Sequence, residues 1–463
     1  MATVTSYGAA QEVTGSCHLV EAEGLGKVLL DCGMHQGNDV VDRIREEHFD
    51  FDPATIEAVI VSHGHLDHSG LLPRLFAAGY NGPVYCTQAT AELLPIMLND
   101  AQYIYERDLA RRNKRLKEKG AKALEPAYTK ADVSKAIDIC EGMPYRQLRR
   151  LHGHAAVRFH DAGHILGSAI VELTVNDEGK EKTLVYSGDL GKRNTVLMND
   201  PALMQKADIV LMEGTYGNRN HREYGDTIEQ LKEILAETWK RGGNVMIPAF
   251  AVGRTQELIY HLGRMHKADE LDPWQIFLDS PMAIQVTEVY DRWLRQLDPD
   301  DTKHIGNSLE NFLPSLNLSL TQDDSMAINE HKRGAIIIAG SGMCTGGRIR
   351  HHFRHRITKH DDTIIFIGFQ ARGTLGRILV DGVKKVKLFR EELPVNASIE
   401  TLGGFSAHAG QRGLTDWIAN FNSNPKVCLV HGEPESLLKL QSHLRQQKNI
   451  DALIPAKGES ISF

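Results

Sequence analysis

The first fifth of the chain alternates short apolar runs with polar, glycine-bearing loops. Val28-Leu29-Leu30-Asp31 and Ala58-Val59-Ile60-Val61-Ser62 each predict a short strand ending in a polar residue. Residues 90–141 change period and read as helical, with a basic middle and a break at Pro126. Strands are predicted again over 156–161, 170–174 and 183–187.

From about Ala207 the rhythm changes. Strands over 209–212, 244–248 and 275–278 are each followed by a helical stretch, over 227–240, 255–265 and 283–297. Two further apolar runs, 335–339 and 363–367, precede glycine-rich loops, and a last helix is predicted over 435–447. Strand and helix alternating at this spacing specify an open, mostly parallel sheet covered on both faces. There is no Ser/Gly linker, so pattern alone divides the chain into 1–207, 208–394 and 395–463.

Hydrophobic residues make up 41% and charged residues 24% of the 463, which suits a globular chain and not a disordered one. No stretch approaches the roughly 18 apolar residues needed to span a bilayer. The N-terminus has no basic region leading into an apolar run, so a cytoplasmic location without membrane contact is expected. The six cysteines are scattered without a CxxC pair, against both a disulfide scaffold and a thiolate zinc knuckle. Any metal must then be held by histidine and carboxylate, and with 22 histidines only their arrangement carries an argument. The net charge of −7 counts mildly against nucleic-acid binding. Two local runs are nevertheless basic, 111–117 and 348–359. The first reads as a solvated helix face; the second starts inside a glycine-rich loop.

One pattern stands apart. His63-Gly64-His65-Leu66-Asp67-His68 follows directly on the apolar strand Val59-Ile60-Val61. His63 and His65 alternate along an extended segment, so both imidazoles can face one cation. Asp67 and His68 begin the following turn and point to a neighbouring cation. Imidazole nitrogen and carboxylate oxygen both suit Zn²⁺. Asp31, His164, Asp189 and His431 are also polar residues at or just past a strand end. Singly each is more often a turn residue or a satisfied histidine; together they suggest ligands converging on one edge of a sandwich.

The order of these stretches resembles the metallo-β-lactamase superfamily. Three later stretches, Glu213–Gly217, Gly404–Ala409 and Leu429–Gly432, resemble the motifs of one branch, the β-CASP nucleases. The likeness runs from residue 4 to 435 and is nearest to bacterial and archaeal relatives of the endonuclease subunit of the pre-mRNA 3′-end cleavage machinery. It implies an α/β chain in which an αββα sandwich, residues 1–207 and 395–463, carries an inserted doubly wound α/β domain over 208–394. It implies two Zn²⁺ per chain, one held by His63, His65 and His164, the other by Asp67, His68 and His431. Asp189 would bridge them, and Asp31 would orient a ligand histidine. Glu213 and His408 match the branch's first two motifs, and His431 its third. Many members have an acidic residue two positions after the motif histidine, where this chain has Gly410. That position is not a ligand, so the departure bears on how His408 is held. A homodimer is implied as well.

Four loops of the α/β segment follow strands: 248–254, 279–281, 341–348 and 368–374. Glycine lets backbone N–H groups approach a phosphate, and arginine adds charge-assisted contacts. Arg254, Ser341, Gly342, Arg348, Arg372 and Ser406 are accordingly expected at phosphates of a single-stranded RNA. The resemblance implies that such a strand lies between this edge and the metals. Two cations about 3.5–4 Å apart lower the pKa of a shared water. Asp67 would orient it, and His408, paired with Glu213, would protonate the leaving 3′ oxygen. The 2′-hydroxyl takes no part, so 5′-phosphate and 3′-hydroxyl ends are expected, from internal or 5′-terminal cleavage. The alternatives are a hydrolase of small molecules, since this fold serves several chemistries, and a scaffold that has lost its metals. The inserted domain argues against the first, and the filled ligand positions against the second.

Overall fold

The computed structural model describes all residues except 36–43, 45–47, 154, 222–223, 369 and 372. Arg372, expected at a phosphate, therefore lies outside the described residues. The chain divides into two compact units, Met1–Asn220 with His408–Phe463, and His221–Ala407.

The first unit is built on two seven-stranded sheets. In spatial order the first runs Ser460–Ser462, Thr3–Gly8, Cys17–Ala22, Gly26–Leu30, Ala58–Ile60, Val84–Thr87 and Cys140–Met143. The second runs Ala452–Leu453, Lys426–Val430, Ile209–Glu213, Lys180–Tyr186, Ala169–Asp177, Ala156–Asp161 and Arg149–Arg150. Side chains alternate across each sheet, and here both faces are apolar. Val28, Leu30, Ile60, Leu184, Tyr186, Leu211 and Val430 share the core between the sheets. Their neighbours Leu29, Val59 and Val61 turn the other way, onto Leu72, Leu75, Leu94 and Leu98 of helices outside the first sheet. Val185, Val210, Met212 and Leu429 likewise pack on Leu414, Trp417, Leu437 and Leu440 outside the second. The result is helix, sheet, sheet, helix, the sandwich expected.

The helical stretch 90–141 resolves into a long helix Gln88–Glu118, a shorter one Lys130–Asp138 and an edge strand Cys140–Met143. Thr87 caps the long helix by accepting the Thr90 N–H, and Pro126 lies in the connecting loop. Among the described residues no helix is long and apolar enough to cross a membrane.

The second unit holds a six-stranded sheet in the order Leu316–Leu318, Gln275–Asp279, Ala335–Ala339, Val245–Pro248, Thr363–Phe366 and Ser398–Thr401. Every pairing in it is parallel; the helix Tyr224–Arg241 precedes its first strand in the chain, and helices Arg254–Lys267, Pro281–Trp293 and Ile349–Arg356 lie in the connections. A separate hairpin pairs Lys385–Leu388 with Glu391–Pro394.

Two strands fall on the other side of the expected divisions. Ile209–Glu213 opens the βα alternation in the sequence, yet it pairs in parallel with Lys180–Tyr186 and Lys426–Val430 inside the sandwich. All five of its residues are buried, and a strand covered on both faces reads the same in a layered sandwich as in a doubly wound sheet. Ser398–Thr401, placed by pattern with the closing core segment, is instead the edge strand of the second unit's sheet on Thr363–Phe366.

Candidate metal centre

The polar residues at the strand ends of the first unit meet at one edge of the sandwich. Two reach it through unusual backbone. Asp31 immediately follows the strand Gly26–Leu30 with φ 60, and His431 follows Lys426–Val430 with φ 49. Left-handed φ is rare outside glycine and concentrates where surrounding structure enforces it, often at functional sites. Gly163, just before His164, has φ +66, and a Cβ there would stand 2.5 Å from the Asn199 carbonyl oxygen. Asp67 and His68 lie on the single helical turn Leu66–Ser69 that follows His65.

The donor atoms fall into two groups that share Asp189. In the first, His63 Nε2 lies 3.1 Å from His65 Nδ1, and His164 Nε2 lies 3.3 Å from the same atom. Asp189 Oδ2 stands 3.4 Å from His63 Nε2 and 3.5 Å from His164 Nε2. In the second, His68 Nε2 and His431 Nε2 are 3.2 Å apart, and Asp67 Oδ2 is 3.7 Å from His431 Nε2. The other oxygen of Asp189, Oδ1, is 3.3 Å from His68 Nε2. His63, His68, His164, Asp189 and His431 are all buried.

This donor set fits a metal. Three imidazole nitrogens of the first group converge on one point, and hydrogen bonds cannot satisfy all three among themselves, because each neutral ring carries one N–H. Asp189 Oδ1 is buried and accepts no hydrogen bond among the described residues. A cation at the centre of each group would resolve both deficits. Electrostatics point the same way in the first group, whereas in the second burial opposes charge on His68 but is outweighed by Asp189 and Asp31, which raise its pKa. Burial, followed by the charge on His68, holds His63 well below the ordinary imidazole range, and burial first of all pushes His65 down to about 4. Both are thus neutral, with lone pairs to donate. Burial opposes the charged form of Asp189, but His431, His68, His408 and His63 outweigh it and hold the carboxyl well below its usual range.

Beneath the second group lies a hydrogen-bonded chain. Asp31 faces His68 Nδ1 at 2.7 Å and accepts the Ser62 N–H at 2.7 Å, the Ser62 hydroxyl at 2.9 Å and the Tyr186 hydroxyl at 2.7 Å. Tyr186 in turn meets the Ser16 hydroxyl at 2.8 Å. Thr215 Oγ1 lies 3.1 Å from His431 Nδ1. Ser62, Tyr186, Ser16 and Thr215 were not legible as site residues, since none carries a ligand's chemistry. The one available signal is adjacency: Ser62 precedes His63, and Thr215 lies in the Glu213–Gly217 motif.

Glu213 and His408 also meet there. His408 Nδ1 lies 3.1 and 3.2 Å from the two oxygens of Glu213 and 3.9 Å from Asp189 Oδ2. Glu213 accepts backbone N–H groups as well, from Leu190 at 2.7 Å and Thr215 at 3.3 Å. Its acceptor capacity is engaged by those bonds, so the two residues read as an orienting pair. Burial disfavours charge on His408, yet Glu213 and Asp189 outweigh it and push its pKa up to about 9. Gly410 has backbone where a side chain would go: a Cβ would stand 3.1 Å from the Arg219 carbonyl oxygen. His408 is held instead by Glu213 and by a bridge to Gly191.

The residues expected at phosphates lie in the second unit. The Arg254 guanidinium is buried and donates to the Glu257 carboxylate and the Phe405 carbonyl. Arg348 donates to Asp279 at 2.7 Å and to the carbonyls of Ser319 at 2.9 Å and Leu320 at 3.0 Å. Ser341 Oγ lies 3.3 Å from the Thr345 hydroxyl and accepts the Gly346 N–H at 3.4 Å. Gly342 is buried, and a Cβ on it would stand 2.7 Å from the Phe250 ring. Ser406 is buried. The two arginines are therefore engaged within their own unit.

Comparison with known proteins agrees with this architecture. The model of the metallo-β-lactamase superfamily matches residues 10–238, that of the Beta-Casp domain residues 255–379, and that of the Zn-dependent metallo-hydrolase RNA specificity domain residues 392–455. Ribonuclease TTHA0252 of Thermus thermophilus is 41% identical over 94% of this chain and 94% of its own length. An RNase J-like protein of Methanocaldococcus jannaschii is 30% identical, covering 99% of both chains. The transcription termination factor FttA of the same organism is 30% identical over 99% of this chain and 71% of its own.

Proposed function

Because this chain belongs to the β-CASP branch of the metallo-β-lactamase superfamily, we propose that it is a two-zinc ribonuclease acting on single-stranded RNA. The observation that carries the reading is the position of Asp189. One carboxylate oxygen faces each donor group, and the His408–Glu213 pair stands beside it. Zinc with bonds of about 2.0–2.1 Å spaces tetrahedral ligand atoms about 3.3 Å apart. The first group's spacings of 3.1, 3.3, 3.4 and 3.5 Å match that edge length. RNA as substrate is supported by the ribonuclease names of two relatives and by the RNA specificity model over 392–455.

Bound zinc ions supply a water acidified toward neutrality and positive charge for the phosphoryl oxygens. The chain's own residues do the rest. Asp67 orients the attacking water. Glu213 accepts a hydrogen bond from His408 Nδ1–H, which leaves His408 Nε2 to carry the mobile proton. Protonated, that atom donates to the departing 3′ oxygen as general acid. No residue is assigned to the 2′-hydroxyl, so the products carry 5′-phosphate and 3′-hydroxyl ends.

The test is an RNA labelled at either end, incubated with the wild type and with Asp189→Ala and resolved on a sequencing gel. Cleavage by the wild type alone is expected, and the ladder separates internal cuts from stepwise 5′ removal. Two bound zincs without cleavage of any RNA would overturn the substrate, and enzyme-dependent 2′,3′-cyclic ends would overturn the mechanism.

A further inference from the structure

The basic run 348–359 has two sides. Arg348 and His352 turn inward onto Asp279, and Arg356 is buried against Asn329 and the Ile328 carbonyl. The outward side of the helix Ile349–Arg356 carries Arg350, His351, Arg354 and His355, and the helix has no carboxylate. Against that side stands Phe389, still 39% exposed. Its ring centroid lies 4.5 Å from that of His351, 5.4 Å from the Arg350 guanidinium carbon and 5.9 Å from that of Arg354.

Phe389 and Arg390 form the two-residue turn between Lys385–Leu388 and Glu391–Pro394, and both have left-handed backbone, φ 48 and φ 73. Positive φ at both central residues is the geometry of a hairpin turn that Asn-Gly or Asp-Gly fills with little strain. A phenylalanine there is a genuine outlier. The hairpin needs no aromatic ring to close, so the ring's presence calls for a role beyond closure.

Charge says what the ring is placed for. Arg354 is engaged by Glu391 through two bonds, at 2.6 and 3.1 Å. Arg350 and Arg390 have no carboxylate partner among the described residues, and Arg350 Nε, buried, has no acceptor. Burial first, then the neighbouring cations, hold His351 and His355 below the ordinary imidazole range, so the patch's positive charge is arginine's. One exposed ring edged by the guanidinium groups of Arg350 and Arg354, the first without a carboxylate partner among the described residues, and followed in the turn by Arg390, matches a nucleobase flanked by phosphates. A protein partner would call for a broader apolar patch.

We propose that Phe389, with Arg350 and Arg390, is a stacking platform for a base of single-stranded RNA. The proposal rests on the reading of RNA as substrate. The experiment compares the wild-type holoenzyme with Phe389→Asn/Arg390→Gly. It measures melting temperature and the anisotropy of a fluorescein-labelled, fully phosphorothioate single-stranded RNA that resists cleavage. A platform predicts a melting temperature equal or higher, because the turn is relieved, and an RNA Kd weakened by roughly 5- to 100-fold. Unchanged RNA affinity overturns it, as does a wild type that binds no RNA. If stability and affinity fall together, Phe389→Leu decides: it keeps an apolar contact without a ring face, so unchanged affinity there overturns stacking. A changed sedimentation coefficient with unchanged RNA affinity assigns the patch to a second copy of the chain instead. Binding that depends on Phe389 while natural RNA stays uncut would sink the ribonuclease reading and leave the platform standing.

Discussion

The two units end their strands in the same grammar, an apolar run followed by polar residues and glycine, and they use it differently. In the first unit the strand-end residues face one another, the nitrogens of His63, His65 and His164 gathered beside a buried Asp189 Oδ1 that accepts no hydrogen bond among the described residues. In the second, Arg254 has Glu257 and Phe405, and Arg348 has Asp279 and two carbonyls. Position at a strand end therefore does not mark a site. Unsatisfied donors and acceptors, gathered and buried, do, because burial without a partner costs too much to persist for packing alone.

The strongest test of that contrast is Asp189→Ala. Removing the shared carboxylate should cost RNA cleavage more than ~10³-fold, since metal-borne charge stabilisation amounts to several kcal/mol. Zinc analysis should show fewer than two ions per chain. A variant that keeps both zincs and its rate would break the comparison at its firmest point. His408→Ala comes next: cleavage should fall by about 10²–10⁴-fold, the usual contribution of a general acid, with zinc content unchanged. Arg254→Leu sharpens the other side. It removes one member of the buried Arg254–Glu257 pair together with the bond to the Phe405 carbonyl, so urea unfolding should report a loss of about 3–5 kcal/mol. KM for RNA should stay put in a buffer where the variant is folded. A raised KM with undiminished stability would return Arg254 to the substrate.

What the sequence disclosed follows the same line. The residues of the two donor groups, and Asp31 behind them, were legible because they are chemically distinctive and lie at the ends of apolar runs. Periodicity placed the strands well, since neighbours such as Leu29 and Leu30 go to opposite cores and both must be apolar. It could not say which sheet a doubly buried strand joins, and Ile209–Glu213 was misplaced for that reason. The arginine loops illustrate the opposite failure. Arg254 and Arg348 have the right chemistry for phosphate, but Arg254 pairs with Glu257 one turn along its own helix and with the Phe405 carbonyl 151 residues away, and Arg348 pairs with Asp279 across 69 residues. The residues behind the metal groups were silent for the same reason: Tyr186 reaches Asp31 across 155 residues, and nothing local marks it.

That silence sets up the smallest and most discriminating test. Asp31 holds His68 Nδ1 at 2.7 Å and is itself held by Ser62 and Tyr186. Losing Asp31's charge, as in Asp31→Asn, should weaken metal affinity about 10- to 100-fold, as expected for a partner behind a ligand histidine. Tyr186→Phe removes one neutral donor from a carboxylate that keeps two others, so the loss should be nearer ~5-fold, the value of a single hydrogen bond. It should also be lopsided. Tyr186 acts through Asp31 directly on His68, which belongs with Asp67 and His431, and reaches His63 of the other group only one residue further on, through the Ser62 hydroxyl 3.1 Å from His63 Nδ1. Competitive zinc titration against a chromophoric chelator should therefore show one of two binding steps weakened more than the other. Equal weakening of both steps would mean that Tyr186 supports the edge as a whole, and that the two donor groups are not separately held.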